Sequence, residues 1–102
     1  MKAKDAKAKF RQTKEWKTFR IKISEKQDKK DIITGKPLRK CYNCHHLDMS
    51  TENYDKLIEE NFIAVNKQTH ETLHFLFRYY QKDPTVLDRL KTVLDRMSEL
   101  NK

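Results

Sequence analysis

The segment CYNCHHLD, residues 41–48, places two cysteines and two adjacent histidines within six residues. Both residue types bind metal ions in proteins. The rest of the chain offers little else to hold a fold together, because only 36% of its 102 residues are hydrophobic and 37% are charged. Such a chain is expected to form one domain with a small core, which a bound metal ion would help to stabilise.

Positive charge is concentrated in the first 40 residues. They hold 15 Lys or Arg against 5 Asp or Glu, a net charge of +10, whereas residues 41–102 hold 8 against 10, a net charge of −2. Residues 1–11 are predicted to be a flexible basic arm and residues 12–102 a single domain. A basic arm on a nearly neutral body indicates a polyanionic partner, and nucleic acid is favoured over membrane because no apolar segment accompanies the charge.

No targeting or membrane-spanning segment is recognisable in the chain. MKAKDAKAKF at the start is basic, but no apolar run follows it. No stretch approaches the roughly 20 apolar residues that cross a bilayer. We therefore expect a cytoplasmic protein that does not contact membranes.

Hydrophobic spacing predicts the order of the structural elements. Trp16, Phe19 and Ile23 recur at steps of three and four and predict a helix, and Ile32 and Ile33 favour a strand. A turn at Gly35 and Pro37 is followed by an extended RKCYNCHHLD. NFIAVN has the composition of a short strand, and KQTHETLHFLFRYYQ has helical spacing. The sequence therefore predicts an α+β fold with a ββα unit over about residues 38–80.

A last helix is predicted over about residues 84–100. Asp83 is expected to be its N-cap, with Pro84 at the first helical position. Its apolar residues form one stripe, which we expect to pack on the core: Leu87, Leu90, Val93, Leu94 and Met97.

The four histidines fall into two pairs. His70 and His74 are one turn apart on a predicted helix and can bind one metal ion together. His45 and His46 are neighbours on a predicted strand, so their side chains point to opposite faces. One of them can bind the same ion while the other faces a substrate. One ligand and one base is the combination that metal-assisted hydrolysis requires.

The pattern H-H-x14-N-x8-H-x3-H, formed by the histidines and Asn61, resembles the HNH nuclease motif, and its spacing is very close to that of colicin-type DNases. NFIAVNKQTHETLH is similar to the second half of that motif. TKEWKTFR and DIITGKPL look like the segments that precede it in small phage and bacterial HNH proteins. The resemblance covers residues 13–78 and implies a treble-clef-like ββα-metal core flanked by an N-terminal and a C-terminal helix.

The resemblance implies a metal-dependent DNA endonuclease. His46 would be the general base, and His45, His70 and His74 would hold one divalent ion. Three imidazoles suit Zn, Ni, Co or Mn better than Mg. Asn61 would cross-link the loop between the strands and so aim the base. The substrate would be double-stranded DNA, cut with little sequence specificity to leave 5′-phosphate and 3′-hydroxyl ends.

The resemblance and the charge distribution also indicate where the protein acts, what it associates with and which residues bind DNA. The cell would be a bacterium or a phage-infected host. A homodimer through the last helix and membership of a larger phage or mobile-element complex both remain open. The residues expected to bind DNA phosphates are basic and lie before the motif: Arg11, Lys14, Lys17, Arg20, Lys36, Arg39 and Lys40.

The cysteines provide an alternative interpretation. Cys41, Cys44, His70 and His74 form C-x2-C-x25-H-x3-H, which could close a tetrahedral zinc site and leave no open position. The protein would then be a non-catalytic DNA-binding or scaffolding module. The gap of 25 residues is longer than in usual zinc fingers, and this interpretation leaves His45, His46 and Asn61 unexplained.

A separate zinc site with four cysteines, present in many HNH proteins, is excluded because the chain has two cysteines. In those proteins one pair lies at the turn before the histidine strand and the other just before the final histidines. Here the turn is Thr34-Gly35-Lys36-Pro37, and Asn66 and Thr69 stand where the second pair would fall.

Overall fold

The computed structural model describes residues 3–48 and 55–102. Its elements are α1 (Ala3–Phe10), α2 (Lys14–Lys26), β1 (Asn43–His46), a 3-10 turn (Glu59–Asn61), β2 (Phe62–Val65), α3 (Lys67–Lys82) and α4 (Val86–Leu100). The predicted α+β class is confirmed, with two antiparallel strands followed at once by a helix. The chain divides into two compact units, residues 1–70 and 71–102, and the boundary falls inside α3.

Helix α2 supplies one side of the small core in the first unit. It begins after Thr13, whose hydroxyl accepts a hydrogen bond from the backbone N–H of Trp16 at 3.3 Å. This N-cap satisfies one of the amides that a helix leaves unpaired at its start. Phe19 and Ile23 are buried on the face that the apolar spacing predicts. They pack with Phe62 and Ala64 of the sheet.

Residues 3–10, which belong to the predicted basic arm, form α1. The alternation of alanine and lysine favours helix, because both residues lose little freedom in that conformation. The aromatic ring of Phe10, at the end of α1, lies 5.9 Å from the ring of Trp16 in α2. This aromatic contact joins the basic helix to the core.

Strand β2 is hydrogen-bonded on both of its edges. On one edge it pairs antiparallel with β1 over four residues. On the other edge the side-chain amide of Gln27 accepts from the N–H of Ala64 at 2.9 Å and donates to its carbonyl at 2.8 Å. Ile32 and Ile33, which favour strand by composition, lie in a turn with exposed side chains. The side chain of Gln27, together with the N–H of Ile32, which donates to the carbonyl of Ala64 at 3.4 Å, therefore takes the place of a third strand.

Helix α4 begins two residues later than predicted, at Val86, and its N-cap is Thr85 instead of Asp83. Asp83 still shapes this corner, because its carboxylate accepts from the N–H and the hydroxyl of Thr85 and pairs with Arg89 at 2.8 Å. No residue of α4 is buried. Four of the five residues in the predicted stripe are exposed and Leu90 is half-buried, so the expectation of a buried stripe was wrong. No helix within the described residues is both long enough and apolar enough to cross a membrane.

The carboxylate of Asp31 joins several segments of the first unit, and its residue is only 1% exposed. One oxygen accepts from the N–H groups of Ile33 and Thr34, at 2.8 and 3.0 Å, and the other from Asn66 at 2.8 Å. Burial alone would raise the pKa of Asp31. Hydrogen bonds from Thr34, Asn66, Thr69 and Ile33 outweigh that effect and lower the pKa below its usual value.

We predict that Asp31→Asn lowers the free energy of unfolding at pH 7 by about 2–3 kcal/mol, because an amide cannot accept all four hydrogen bonds. A lowered folded-state pKa means that the ionised carboxylate stabilises the fold above about pH 4 and loses that effect as the pH falls through the folded-state value. The difference between wild type and variant should therefore shrink in acid. Urea unfolding from pH 7 downward measures it, with Glu25→Gln, which removes an exposed carboxylate, as the control. If the difference in unfolding free energy between wild type and Asp31→Asn did not change with pH, the stabilising role of the ionised carboxylate would be contradicted.

Candidate metal centre

The turn from β2 into α3 positions two histidines beside a third. Only Asn66 separates the end of β2 from the start of α3, and its carbonyl accepts from the N–H of His70 at 2.9 Å. His70 therefore lies in the first turn of the helix, next to the sheet that it has just left. The unit boundary follows His70, but α3 is continuous, so the helix itself fixes His74 one turn further along.

His45, His70 and His74 form a compact group of nitrogen donors. One ring nitrogen from each lies within 4.8 Å of the others. Nδ1 of His45 and Nε2 of His70 are 3.2 Å apart, and the two rings meet edge to face with centroids 4.9 Å apart. All three residues are half-buried. The helix spacing and the strand register together produce this convergence, since His45 pairs with Ile63 across the sheet.

The group fits a divalent transition metal. Nitrogens about 2.0–2.1 Å from a tetrahedral ion are about 3.3 Å from one another, close to the spacing of His45 and His70. Three neutral imidazoles leave a fourth position for water or substrate, as in catalytic zinc sites. On the same face of β1 as His45, Oδ1 of Asn43 is buried and accepts no hydrogen bond from any described residue. Three nitrogen atoms that can bind a metal ion and one oxygen atom without a hydrogen bond from the described residues therefore lie on this side of the sheet.

His46 lies on the opposite face of β1, over the aromatic core. Its ring stacks on Phe62 at 4.3 Å with an interplanar angle of 8°. Burial has the largest effect on the pKa of His46 and lowers it; Asp48 raises it in part, and Lys7 lowers it again. The net shift is downward. A neutral imidazole can accept a proton, so these surroundings suit a base at neutral pH.

Asn61 lies where the chain enters β2. Its backbone carbonyl accepts from the N–H of Leu47 at 2.8 Å. This bond extends the pairing of the two strands by one residue beyond His46 and Phe62. Asn61 therefore fixes the backbone next to His46, whereas the connecting residues 49–54 lie outside the described part of the chain.

The two cysteines are not part of the histidine group. Within the described residues, the side chains close enough to share one metal ion are three histidines and neither cysteine. Cys44 packs against the core on the other face of β1 from His45. Burial raises the pKa of its thiol to about 12, an effect that the nearby charge of Arg20 only partly opposes. A metal ligand must be a thiolate, so this environment disfavours Cys44 as a ligand.

Six of the seven residues predicted to bind DNA are exposed, and the seventh has a structural role. The guanidinium of Arg20 lies 3.7 Å above the ring of Tyr42 and donates to its carbonyl, while the hydroxyl of Tyr42 donates to the carbonyl of Arg20 at 3.1 Å. This clamp joins α2 to the residue before β1. The two partners are 22 positions apart in the chain, so no local pattern revealed this contact. Lys7, in α1, lies close enough to His46 for its charge to lower the pKa of that imidazole.

No family model, no curated protein and no solved structure matches this chain. The likeness to HNH nucleases therefore rests on the spacing of five residues and on the order of the elements around them. Both are properties of this sequence and fold, and both lead to predictions that can be tested directly.

We predict that the protein binds one Co²⁺ or Zn²⁺ ion per chain through the three histidines. Binding should raise the thermal midpoint, because a ligand at 100 times its Kd stabilises the folded state by about 2.7 kcal/mol. His45→Ala should abolish the effect, and the double variant Cys41→Ser/Cys44→Ser should retain it. Cobalt absorption spectra and calorimetric titration measure both. Loss of binding in the cysteine variant would instead support the site with two cysteines and two histidines.

Proposed function

We propose that this protein is a metal-dependent endonuclease that hydrolyses phosphodiester bonds of double-stranded DNA, with an HNH-type ββα-metal core. One observation carries the proposal: three histidines converge within 4.8 Å of one another, and a fourth follows directly on the strand, pointing to the other face. A histidine pair alone would be weak support. Here every histidine of the chain has a place in one arrangement.

A divalent ion held by His45, His70 and His74 would supply a Lewis acid for the scissile phosphate and the leaving 3′ oxygen. His46 would accept the proton of the attacking water at a ring nitrogen. Its stacking on Phe62 limits the rotation of the ring, and the lowered pKa keeps it neutral. Such positioning contributes to catalysis because the base need not be ordered during the reaction.

Asn61 would act through the backbone. Its hydrogen bond to Leu47 holds the chain directly after His46. The base would therefore be restrained by the Phe62 ring on one side and by the strand pairing on the other. Asn61 is in this view a positioning residue.

Basic residues of the first unit would bind the DNA backbone. Arg11 is exposed in the turn between α1 and α2, and Lys14 and Lys17 are exposed in the first turns of α2. Three further exposed basic residues precede β1: Lys36, Arg39 and Lys40. The +10 charge of residues 1–40 is the long-range attraction that brings duplex DNA to this surface. Binding through phosphates explains why we expect little sequence specificity.

Cleavage is tested on supercoiled plasmid with Mg, Mn, Ni, Co and Zn in separate reactions. We expect cleavage by wild type and a loss of at least about 100-fold in rate for His46→Ala, the low end for removal of a general base. Cobalt binding by that variant should persist, because His46 lies on the face away from the ligands. Cys41→Ser, an exposed change in the same segment, is the control and should cut like wild type. If every metal binds and none supports cleavage, the protein is a non-catalytic metal module.

DNA binding is tested without metal, so that no cleavage occurs. The triple variant Arg11→Gln/Lys14→Gln/Lys17→Gln should bind more weakly, and the salt dependence of its affinity should flatten by about 0.9 for each phosphate that the variant no longer neutralises. Arg89→Gln/Lys91→Gln/Arg96→Gln removes the same charge from α4 and should leave the slope unchanged. Fluorescence anisotropy over a series of salt concentrations measures both. Equal effects of the two variants would show that total charge, and not this surface, governs binding.

A further inference from the structure

Helix α4 presents an apolar stripe to solvent along its whole length. Five large side chains of the stripe are between 43% and 66% exposed: Leu87, Val93, Leu94, Met97 and Leu100. A helix of 15 residues is marginal in water by itself and depends on packing of its apolar face. This stripe therefore requires a partner.

The spacing of the stripe is that of a helix-pairing seam. Leu87, Leu90, Leu94 and Met97 follow one another at steps of three, four and three, the a and d positions of a heptad repeat. A second row of apolar residues, spaced by seven, widens the seam along one side: Val86, Val93 and Leu100. Steps of three, four and three are the same in both chain directions. An antiparallel copy would thus place Leu90 against Leu94 and Leu87 against Met97.

We propose that α4 pairs with α4 of a second copy, antiparallel and about a two-fold axis near the middle of the helix. A two-fold interface uses the same surface on both chains, and this surface is complementary to itself in that orientation. Leu90 and Leu94 would form its centre, and Val93 would meet Val93 of the second copy.

Charge favours a second copy over other occupants. Residues 86–100 hold three acidic and three basic side chains, so their charges cancel and the helix is neutral. Charges are paired on the polar side, Lys91 with Asp95 at 2.8 Å and Arg96 with Glu99 at 3.2 Å. A neutral helix does not attract DNA. Helices that lie on anionic membranes carry an excess of Lys and Arg on the polar face, which α4 lacks. Two copies of this neutral helix can pair without charge repulsion between the helices.

The pairing gives the proposed nuclease two sites in one particle, a consequence that rests on the proposed function. The strands of duplex DNA are antiparallel, so a two-fold dimer could present one histidine group to each strand. Wild type would then produce linear plasmid early in the reaction. A monomeric form would accumulate nicked circles first.

Light scattering after size exclusion tests the pairing without DNA. Wild type should have the mass of two chains. Leu94→Glu should have the mass of one, because it places a charge at the centre of the seam, and it should bind Co²⁺ like wild type, since Leu94 is exposed in the single chain. Thr92→Glu introduces the same side chain on the opposite face and should remain dimeric. A monomeric wild type, a dimeric Leu94→Glu or a monomeric Thr92→Glu would overturn the proposal.

Orientation is tested in a Cys41→Ser/Cys44→Ser background with a short bismaleimide. Val93→Cys should cross-link to its own copy, whereas Leu87→Cys should not, because an antiparallel pair places Leu87 at opposite ends. Efficient cross-linking of Leu87→Cys alone would show a parallel pair and overturn the antiparallel arrangement. If the mass is doubled and no metal supports plasmid cleavage, the pairing stands and the nuclease function fails.

Discussion

The buried carboxylate of Asp31 is the interaction on which the histidine site depends most. It holds the turn at Ile33 and Thr34 against Asn66, the residue between β2 and α3. Because α3 starts directly after Asn66, whatever fixes that residue also fixes the helix that carries His70. A negative charge at the start of a helix is further stabilised by the helix dipole. One side chain thus links the preceding turn, the sheet and the ligand-bearing helix.

Polar cross-links of this kind compensate for a small core. The buried apolar residues among those described are five: Phe19, Ile23, Phe62, Ala64 and Val65. Around them Gln27 bonds to Ala64, and Asn66 accepts from the N–H of Arg39 and donates to the carbonyl of Pro37. Hydrogen bonds made by Asn66 and accepted by Asp31 therefore cross-link segments that lie far apart in the chain.

Local sequence patterns predicted the helices and strands, but they did not reveal the long-range contacts. The helix over Lys14–Lys26 and the strand over Phe62–Val65 follow from apolar spacing, because burial of one face imposes that period. The convergence of His45 with His70 followed from strand alternation and helix spacing, once a ββα order was assumed. Asp31 gave no signal, since its partner Asn66 lies 35 residues away and a lone aspartate before two isoleucines resembles any loop residue. The expectation that the apolar stripe of α4 is buried was wrong for another reason. Periodicity identifies an apolar face but does not show what covers it.

Alternation along β1 determines what CYNCHHLD does. A register shift of one residue would exchange the faces of His45 and His46 and destroy the site. Two contacts oppose such a shift: Cys44 packs on the core, and the N–H of Leu47 bonds to Asn61. A thiol whose pKa is about 12 behaves as a small apolar side chain. Cys44 therefore anchors the strand by packing, and it is this packing that directs His45 toward α3 and leaves His46 on the opposite face.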